Sequence, residues 1–424
     1  MKRKKILATL WWCCAGAALA QALPTAPPAA EGFSAERLQR LAPFMRDVSA
    51  AAGGYLGGVT LVLRHGRIVE WNAYGHSDLA RSRPMARDAI FRIYSMTKTI
   101  ASVAALILIE EGRLSLDDPV ARYLPAFADV RVFSGGSTDA PQTRSAARPV
   151  TLHHLLTHTT GFATGGAGFE LPGGLLARTE LQRSADLADY AARVATVPLA
   201  SDPGTRFAYD GVNIDVLARV IEVVSGMPFD AFVQQRILAP LAMHDTGWRV
   251  PAAERHRVVT ITTMGADGRL VRAAGRSAEQ PGEPLNAYPS GAGGLYSTAG
   301  DYARFCQMLL NGGTLDGHSI LGRKSVELMM MNHLTPLQMS AASLSPGEGF
   351  GLGGSVVIDA ARRGRLGSPG SFGWSGAAST YYSIDPKEQM VAILLLQHLP
   401  AEQGPDLPKT STRFYNLVYQ ALTR

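Results

Sequence analysis

Ser95 and Lys98 stand three residues apart, with Met96 and Thr97 between them, at the head of a long apolar run. A serine hydroxyl attacks a carbonyl poorly until a neighbouring base takes its proton. An amine serves as that base once desolvation favours its neutral form. Positions i and i+3 share a helix face, so a helix through this stretch turns both groups into one space. The residues that follow predict such a helix. Ile100, Val103, Ala104, Ala105, Leu106, Ile107 and Leu108 leave almost no polar side, the mark of a helix buried all round. Glu110, Glu111 and Gly112 supply its polar end and its stop. Ser95 is therefore expected in the first turn, where free N–H groups and the positive dipole end favour a developing oxyanion. A bare Ser-x-x-Lys is also what a capping serine before a solvated lysine looks like, so its weight rests on the rest of the chain.

Two further stretches carry chemistry-bearing residues. Pro203-Gly204-Thr205-Arg206-Phe207-Ala208-Tyr209 reads as a turn and a short extended run that delivers Tyr209 just ahead of a helix. A phenol there is either core packing or a second proton carrier. Gly370 to Ala378, Gly-Ser-Phe-Gly-Trp-Ser-Gly-Ala-Ala, reads as a strand whose small residues at 376 to 378 let backbone approach a substrate closely. The N–H of Ala377 can join that of Ser95 as a two-donor oxyanion hole.

The elements that must position these groups follow a clear order. Strands are expected at Gly57 to Leu63 and Arg67 to Tyr74, joined at His65-Gly66. Helical patterns fill the middle: Thr151 to His158, Asp186 to Ala195, Ile214 to Val224 and Phe229 to Ile237. Later come strands at Val258 to Met264, Arg269 to Ala273, Gly349 to Ile358, Gly370 to Trp374, Ser379 to Ile384 and Gln389 to Gln397. Helices are expected at residues 34–51, Tyr302 to Leu310, Ser325 to Met331 and Thr412 to Leu422. Phe133 to Pro149 reads as a loop, and Thr159 to Gly174 as a long glycine-rich mouth or lid loop. Strands at both ends with helices between predict an α/β (α+β) layer built from both termini, with a helical domain inserted. The expected division is 33–90 and 250–423 for the layer and 91–249 for the mainly helical part.

With these pieces in order, the chain resembles the serine β-lactamase-like hydrolases: class C β-lactamases, D-alanyl-D-alanine peptidases and family VIII carboxylesterases. The resemblance rests on Ser95-Met96-Thr97-Lys98, His154-Leu155-Leu156-Thr157-His158-Thr159-Thr160-Gly161, Pro203-Gly204 to Tyr209 and Gly376-Ala377. Gly293 to Thr298, Asp301 to Phe305 and Ile384-Asp385-Pro386-Lys387 add to it. It spans roughly 33–423. It implies a β-lactamase/transpeptidase-like fold, an antiparallel sheet flanked by helices. It implies that Ser95 is acylated, that Lys98 and Tyr209 shuttle protons, and that the Ser95 and Ala377 N–H groups bind the oxyanion. Trp374, Ser375 and Gly376 then line the site on the third-motif strand.

Two departures bear on substrate. The family's third motif usually opens with a cation that holds a substrate carboxylate; here that place is Trp374, with one neutral N–H. The second motif usually reads Tyr-x-Asn; here it reads Tyr209-Asp210-Gly211, and Asn213 two residues on either substitutes at the substrate or caps the following helix. Both favour a small neutral ester over a lactam or peptide acid, and the Trp-x-Gly form looks like the esterase branch.

The remaining signals bound the setting. Of 424 residues and a formal charge of +6, Lys2, Arg3, Lys4 and Lys5 supply four charges, so the basic balance is no sign of a nucleic-acid partner. A basic start, an apolar core from Ile6 to Ala17 and Ala18-Leu19-Ala20 read as a secretory signal over 1–20, with a periplasmic or secreted product and no membrane span once it is cut. Residues 21–32, rich in Pro and Ala, read as a disordered lead-in. Cys306 remains as a lone buried thiol, so no internal disulfide is expected after cleavage. His154 and His158 stand at i and i+4 but have no third ligand at useful spacing, and neither metal nor cofactor is expected. The oligomeric state is not written in these features.

Overall fold

Strands from the two ends of the chain meet in one antiparallel sheet. The computed structural model describes residues 22–50, 54–162, 170–339, 344–401 and 403–424. β1 (Gly57–Arg64) and β2 (Arg67–Gly75) form the N-terminal hairpin. β3 (Glu348–Phe350), β4 (Ser355–Val357), β5 (Phe372–Gly376), β6 (Thr380–Asp385) and β7 (Met390–Leu395) come from the C-terminal part. Their order is β3-β4-β5-β6-β7-β1-β2. The join is β1 against β7, with Val59 opposite Leu395 and Leu63 opposite Val391. Every residue of these two strands is buried, which is why both read as near-continuous apolar runs.

The helices that matter here are α1 (Leu41–Ala50), α2 (Thr97–Glu110), α3 (Leu152–Leu156), α4 (Val212–Ser225), α5 (Ala299–Leu310) and α6 (Ser411–Tyr419). α1 and α6 cover the outer face of the sheet through Leu41, Phe44, Met45, Phe414 and Val418, packed on Val62 and Leu394. The inner face, with Leu61, Ile393 and Leu395, belongs to the larger core shared with Leu106 of α2, Leu217 of α4 and Phe305 of α5. The helical part and the sheet thus bury one continuous apolar core, so the head of α2 is held by both. Cys306 lies free and fully buried in α5.

Several expectations need correction. The lead-in is ordered over 22–32: Thr25 bridges Ile68, Pro28–Glu31 form a 3₁₀ turn, and the Glu31 carboxylate meets His65 and Arg67. Proline and alanine there follow an edge strand that supplies the missing backbone partners, as Ile68 N–H donates to Pro24 O and Ala26 N–H to Ile68 O. The loop expected at 133–149 contains a hairpin, Arg131–Gly136 with Pro141–Ser145, tied down by Arg144 on Asp202. The single strand expected at 349–358 is the β3–β4 hairpin instead, because Gly351 N–H turns back onto Gly354 O. The first helix breaks between Leu38 and Leu41. Of the mouth loop, 163–169 lie outside the described residues, and Glu170–Ala177 are helical. The signal segment, 1–20, also lies outside them. Among the described residues no helix is long and apolar enough to cross a membrane.

Candidate active site

α2 is apolar on all sides and has twelve buried residues from Thr97 to Leu108, so its axis is fixed by packing rather than by capping. Ser95 falls just before it, in a 3₁₀ turn over Tyr94–Met96, not in the first α-turn as expected. Tyr94 takes φ +42°, the left-handed region that side chains rarely enter, directly before the serine. Three hydroxyls pin this turn. Tyr302 of α5 donates to Met96 O at 3.0 Å, Thr97 Oγ1 accepts from Leu295 N–H at 3.2 Å, and Thr99 Oγ1 meets Tyr382 of β6 at 2.7 Å.

The i, i+3 spacing brings Lys98 Nζ to 3.1 Å from Ser95 Oγ. Lys98 is buried and Ser95 half-buried, so the amine is shielded from solvent and the hydroxyl reachable. The amine also donates to the Ala292 carbonyl at 2.6 Å. Among the described residues no carboxylate lies within ion-pair reach of it, so its contacts are to neutral oxygens. Nothing in the sequence had singled out Ala292; its main-chain oxygen, not its side chain, does the work, and only the fold brings it there.

Tyr209 arrives on an extended run ahead of α4, and its place is set by rings. Lys98 Nζ stands 5.1 Å from the Tyr209 ring centroid. His158 packs on one side of that ring at 4.7 Å and Trp374 on another at 4.8 Å, with Phe207 and Phe350 behind. Trp374 Nε1 donates to the Tyr209 hydroxyl at 2.8 Å. The side chain that replaces the expected cation therefore holds the phenol oxygen with a neutral donor. Burial first, and the Lys98 charge second, keep the His158 ring well below its ordinary pKa, so it packs as a neutral imidazole.

β5 runs past the serine turn. A Cβ on Gly376 would stand 2.3 Å from Ile93 O, so only glycine lets the strand pass this close. Ala377, the next residue, is exposed, and among the described residues no backbone acceptor takes its N–H. Strand alternation puts Trp374 opposite Tyr382 on the α2 side and Ser375 opposite Tyr381 on the outer side. Ser375, expected to line the site, lies on the side of the strand away from Tyr209; with Trp374, Gly376 and Ala377 it lines a cavity of about 540 Å³ between the sheet and the C-terminal segment.

Asn213 is the other correction. It neither lines the site nor caps α4. It is fully buried within the first turn, where its side-chain amide donates to Asp210 at 2.8 Å and accepts from Thr160 at 2.6 Å. The capping acceptor is Asp210 Oδ1, which takes the Asn213 backbone N–H at 3.1 Å. Burial raises the Asp210 carboxyl to about 7, against the opposing pull of those N–H groups and the Lys98 charge. His154 and His158 do not form an i, i+4 pair either. α3 ends at Leu156, His158 sits at φ +55°, and His154 Nδ1 accepts the Thr151 N–H at its own helix cap. Among the described residues no three His, Cys, Asp or Glu side chains gather as a metal site.

A buried amine on a reachable serine, beside a strand end whose N–H takes no backbone acceptor among the described residues, is an arrangement suited to a serine hydrolase. The comparisons agree: residues 39–412 match the Beta-lactamase family model, and the chain belongs to that family of serine hydrolases. Protein Rv1367c of Mycobacterium tuberculosis is 35% identical over 88% of this chain and 96% of its own length. Esterase EstB of Burkholderia gladioli is 31% identical over 82% and 88% respectively. Among solved structures, EstCE1, described as a hydrolase with promiscuous acyltransferase activity, superposes with a TM-score of 0.74 at 25% identity, covering 92% of this chain and all of that one.

Proposed function

We propose that this protein cleaves small, uncharged acyl esters through an acyl-serine intermediate, in the periplasm or outside the cell. The observation that carries the reading is Lys98 Nζ at 3.1 Å from Ser95 Oγ, with the Tyr209 ring beside the amine. Ser95 Oγ attacks the ester carbonyl, and its proton passes to the Lys98–Tyr209 pair. The N–H groups of Ser95 and Ala377 hold the oxyanion. As the tetrahedral intermediate collapses, the C–O bond to the alcohol breaks and the alcohol leaves with the proton. Water, deprotonated by the same pair, then frees the acid and restores Ser95. The likeness to esterase EstB and EstCE1 supports the ester class.

The neutral substrate follows from what surrounds the phenol. Trp374 offers its only N–H to Tyr209, and Asn213 is turned inward, so neither supplies the carboxylate or amide contacts that a lactam or a peptide acid would use. Replacing Ser95→Ala is expected to abolish turnover of p-nitrophenyl butyrate while circular dichroism stays that of the wild type; unchanged turnover would remove the mechanism. A kcat/KM for a chromogenic cephalosporin above that for the butyrate ester would instead make the site a β-lactamase or D-alanyl peptidase.

A further inference from the structure

Asp215 is a buried carboxylate that the mechanism above leaves unused. It lies in α4 between Ile214 and Val216, in an otherwise apolar stretch that packs into the core. Among the described residues it has no cationic partner within ion-pair reach. Its oxygens instead take donors from a distant turn. Ser290 Oγ donates at 2.9 and 3.1 Å to its two oxygens, and the Ala292 N–H donates to Oδ1 at 2.9 Å. Packing alone calls for an apolar side chain here, because a buried carboxylate is costly unless its hydrogen bonds serve some purpose.

The purpose is visible one peptide further. Ala292 gives its N–H to Asp215 and its C=O to Lys98, at 2.6 Å. Lys98 Nζ is thus held between two oxygens: with its donation to Ala292 O fixed at 2.6 Å, the amine is set against the Ser95 hydroxyl at 3.1 Å. The turn has little slack. A Cβ on Gly291 would meet Ile214 O at 3.2 Å and Ala218 at 3.3 Å, and Trp248 Nε1 donates to Ser290 O at 3.0 Å.

We infer that Asp215 is a positioning residue for acylation: it clamps the Ser290–Ala292 turn so that the Ala292 carbonyl fixes the Lys98 amine against Ser95. The inference rests on the reading that Lys98 serves Ser95. It assigns Asp215 no contact with substrate; it acts through Ala292 and Lys98.

The test uses Asp215→Leu, close in shape and without acceptors, and Asp215→Asn, which keeps one acceptor oxygen and loses the charge. Lys98→Ala is run beside them. A fluorophosphonate burst counts the active sites, so that kcat for p-nitrophenyl butyrate is expressed per competent site. A merely structural role lowers the number of sites and leaves kcat per site alone. Positioning lowers kcat per site by about tenfold or more in Asp215→Leu, with KM within about twofold, since an ångström of misplacement can cost about a hundredfold. Asp215→Asn recovers most of that loss. Unchanged kcat per site in Asp215→Leu overturns the inference. So does an Asn variant as impaired as the Leu variant, which would make the charge, not the clamp, the active feature. If the Leu variant does not fold, Asp215→Ala takes its place under the same criteria. Full activity in Lys98→Ala sinks the proposed function itself, whereas a dead Lys98→Ala beside normal Asp215 variants sinks only the clamp.

Discussion

The two groups proposed to carry the proton are held in opposite ways. Lys98 reaches Ser95 through one turn of chain on a helix buried from all sides. Tyr209 has no helix under it; the His158 and Trp374 rings pack on it, backed by Phe350 from a third segment and by Phe207 from its own run. The helix fixes a distance by backbone geometry, which many core substitutions leave intact. The ring cage fixes a position by packing, so each of its members is a separate point of failure. The comparison teaches that the nucleophile–base pair is the rigid part of this site and the phenol the adjustable part.

The largest effect should come from the rigid side. Lys98→Ala removes the base and is expected to lower kcat for p-nitrophenyl butyrate by about a thousandfold, with stopped-flow acylation slowed in parallel. A loss under about tenfold would shift the burden to Tyr209. Next comes the strand that joins the two halves. Gly376→Ala places a Cβ 2.3 Å from Ile93 O, so β5 must move off the serine turn. About a hundredfold loss in kcat/KM is expected, together with a lower melting temperature. On the adjustable side, Trp374→Phe keeps the ring packing and deletes the N–H on the Tyr209 oxygen. One lost hydrogen bond is worth about 1 kcal/mol, so kcat should fall about fivefold. Trp374→Ala, which also opens the cage, should cost more; equal losses would mean that the rings contribute nothing.

The smallest effect concerns pH and the segment under the phenol. Burial raises the Asp210 carboxyl to about 7. A carboxyl whose folded pKa lies above its unfolded value holds its proton more tightly when folded. Its contribution to stability is therefore lost as pH rises from about 4 through about 7. The carboxyls of Asp215 and Asp301, both raised to about 6 mainly by burial, act in the same direction. Urea unfolding should show stability falling between pH 5 and pH 8, and Asp210→Asn should remove part of that fall. An unchanged slope in the variant would show that Asp210 is already ionised at pH 5.

How much of this was legible differs by region in the same way. The apolar run after Lys98 announced a buried helix, and i, i+3 geometry followed from it. β1 and β7 were readable as strands because both are buried throughout and almost continuously apolar. The hairpin at 131–145 was not, because its second strand is polar and exposed and its first is held by the distant Leu199 backbone, with Arg144 reaching Asp202. Asn213 was misplaced because its neighbours in sequence say nothing of Thr160 and His158, which enclose its amide. Asp215 carried a faint signal, a charge inside an apolar helical stretch, but its partners at Ser290 and Ala292 lie far along the chain.

The sequence by itself determined the pairing of Ser95 with Lys98 and the helix that couples them, because backbone periodicity acts over a few residues and needs no partner. It also determined the family, since several ordered motifs constrain one another. Only the tertiary structure decided that Trp374 holds the phenol, that Ser375 faces the other side of the sheet and that a main-chain oxygen at Ala292 anchors the amine. Those outcomes depend on which surfaces are pressed together when one apolar core closes, and a linear pattern does not record which distant atoms that closure brings within hydrogen-bond reach.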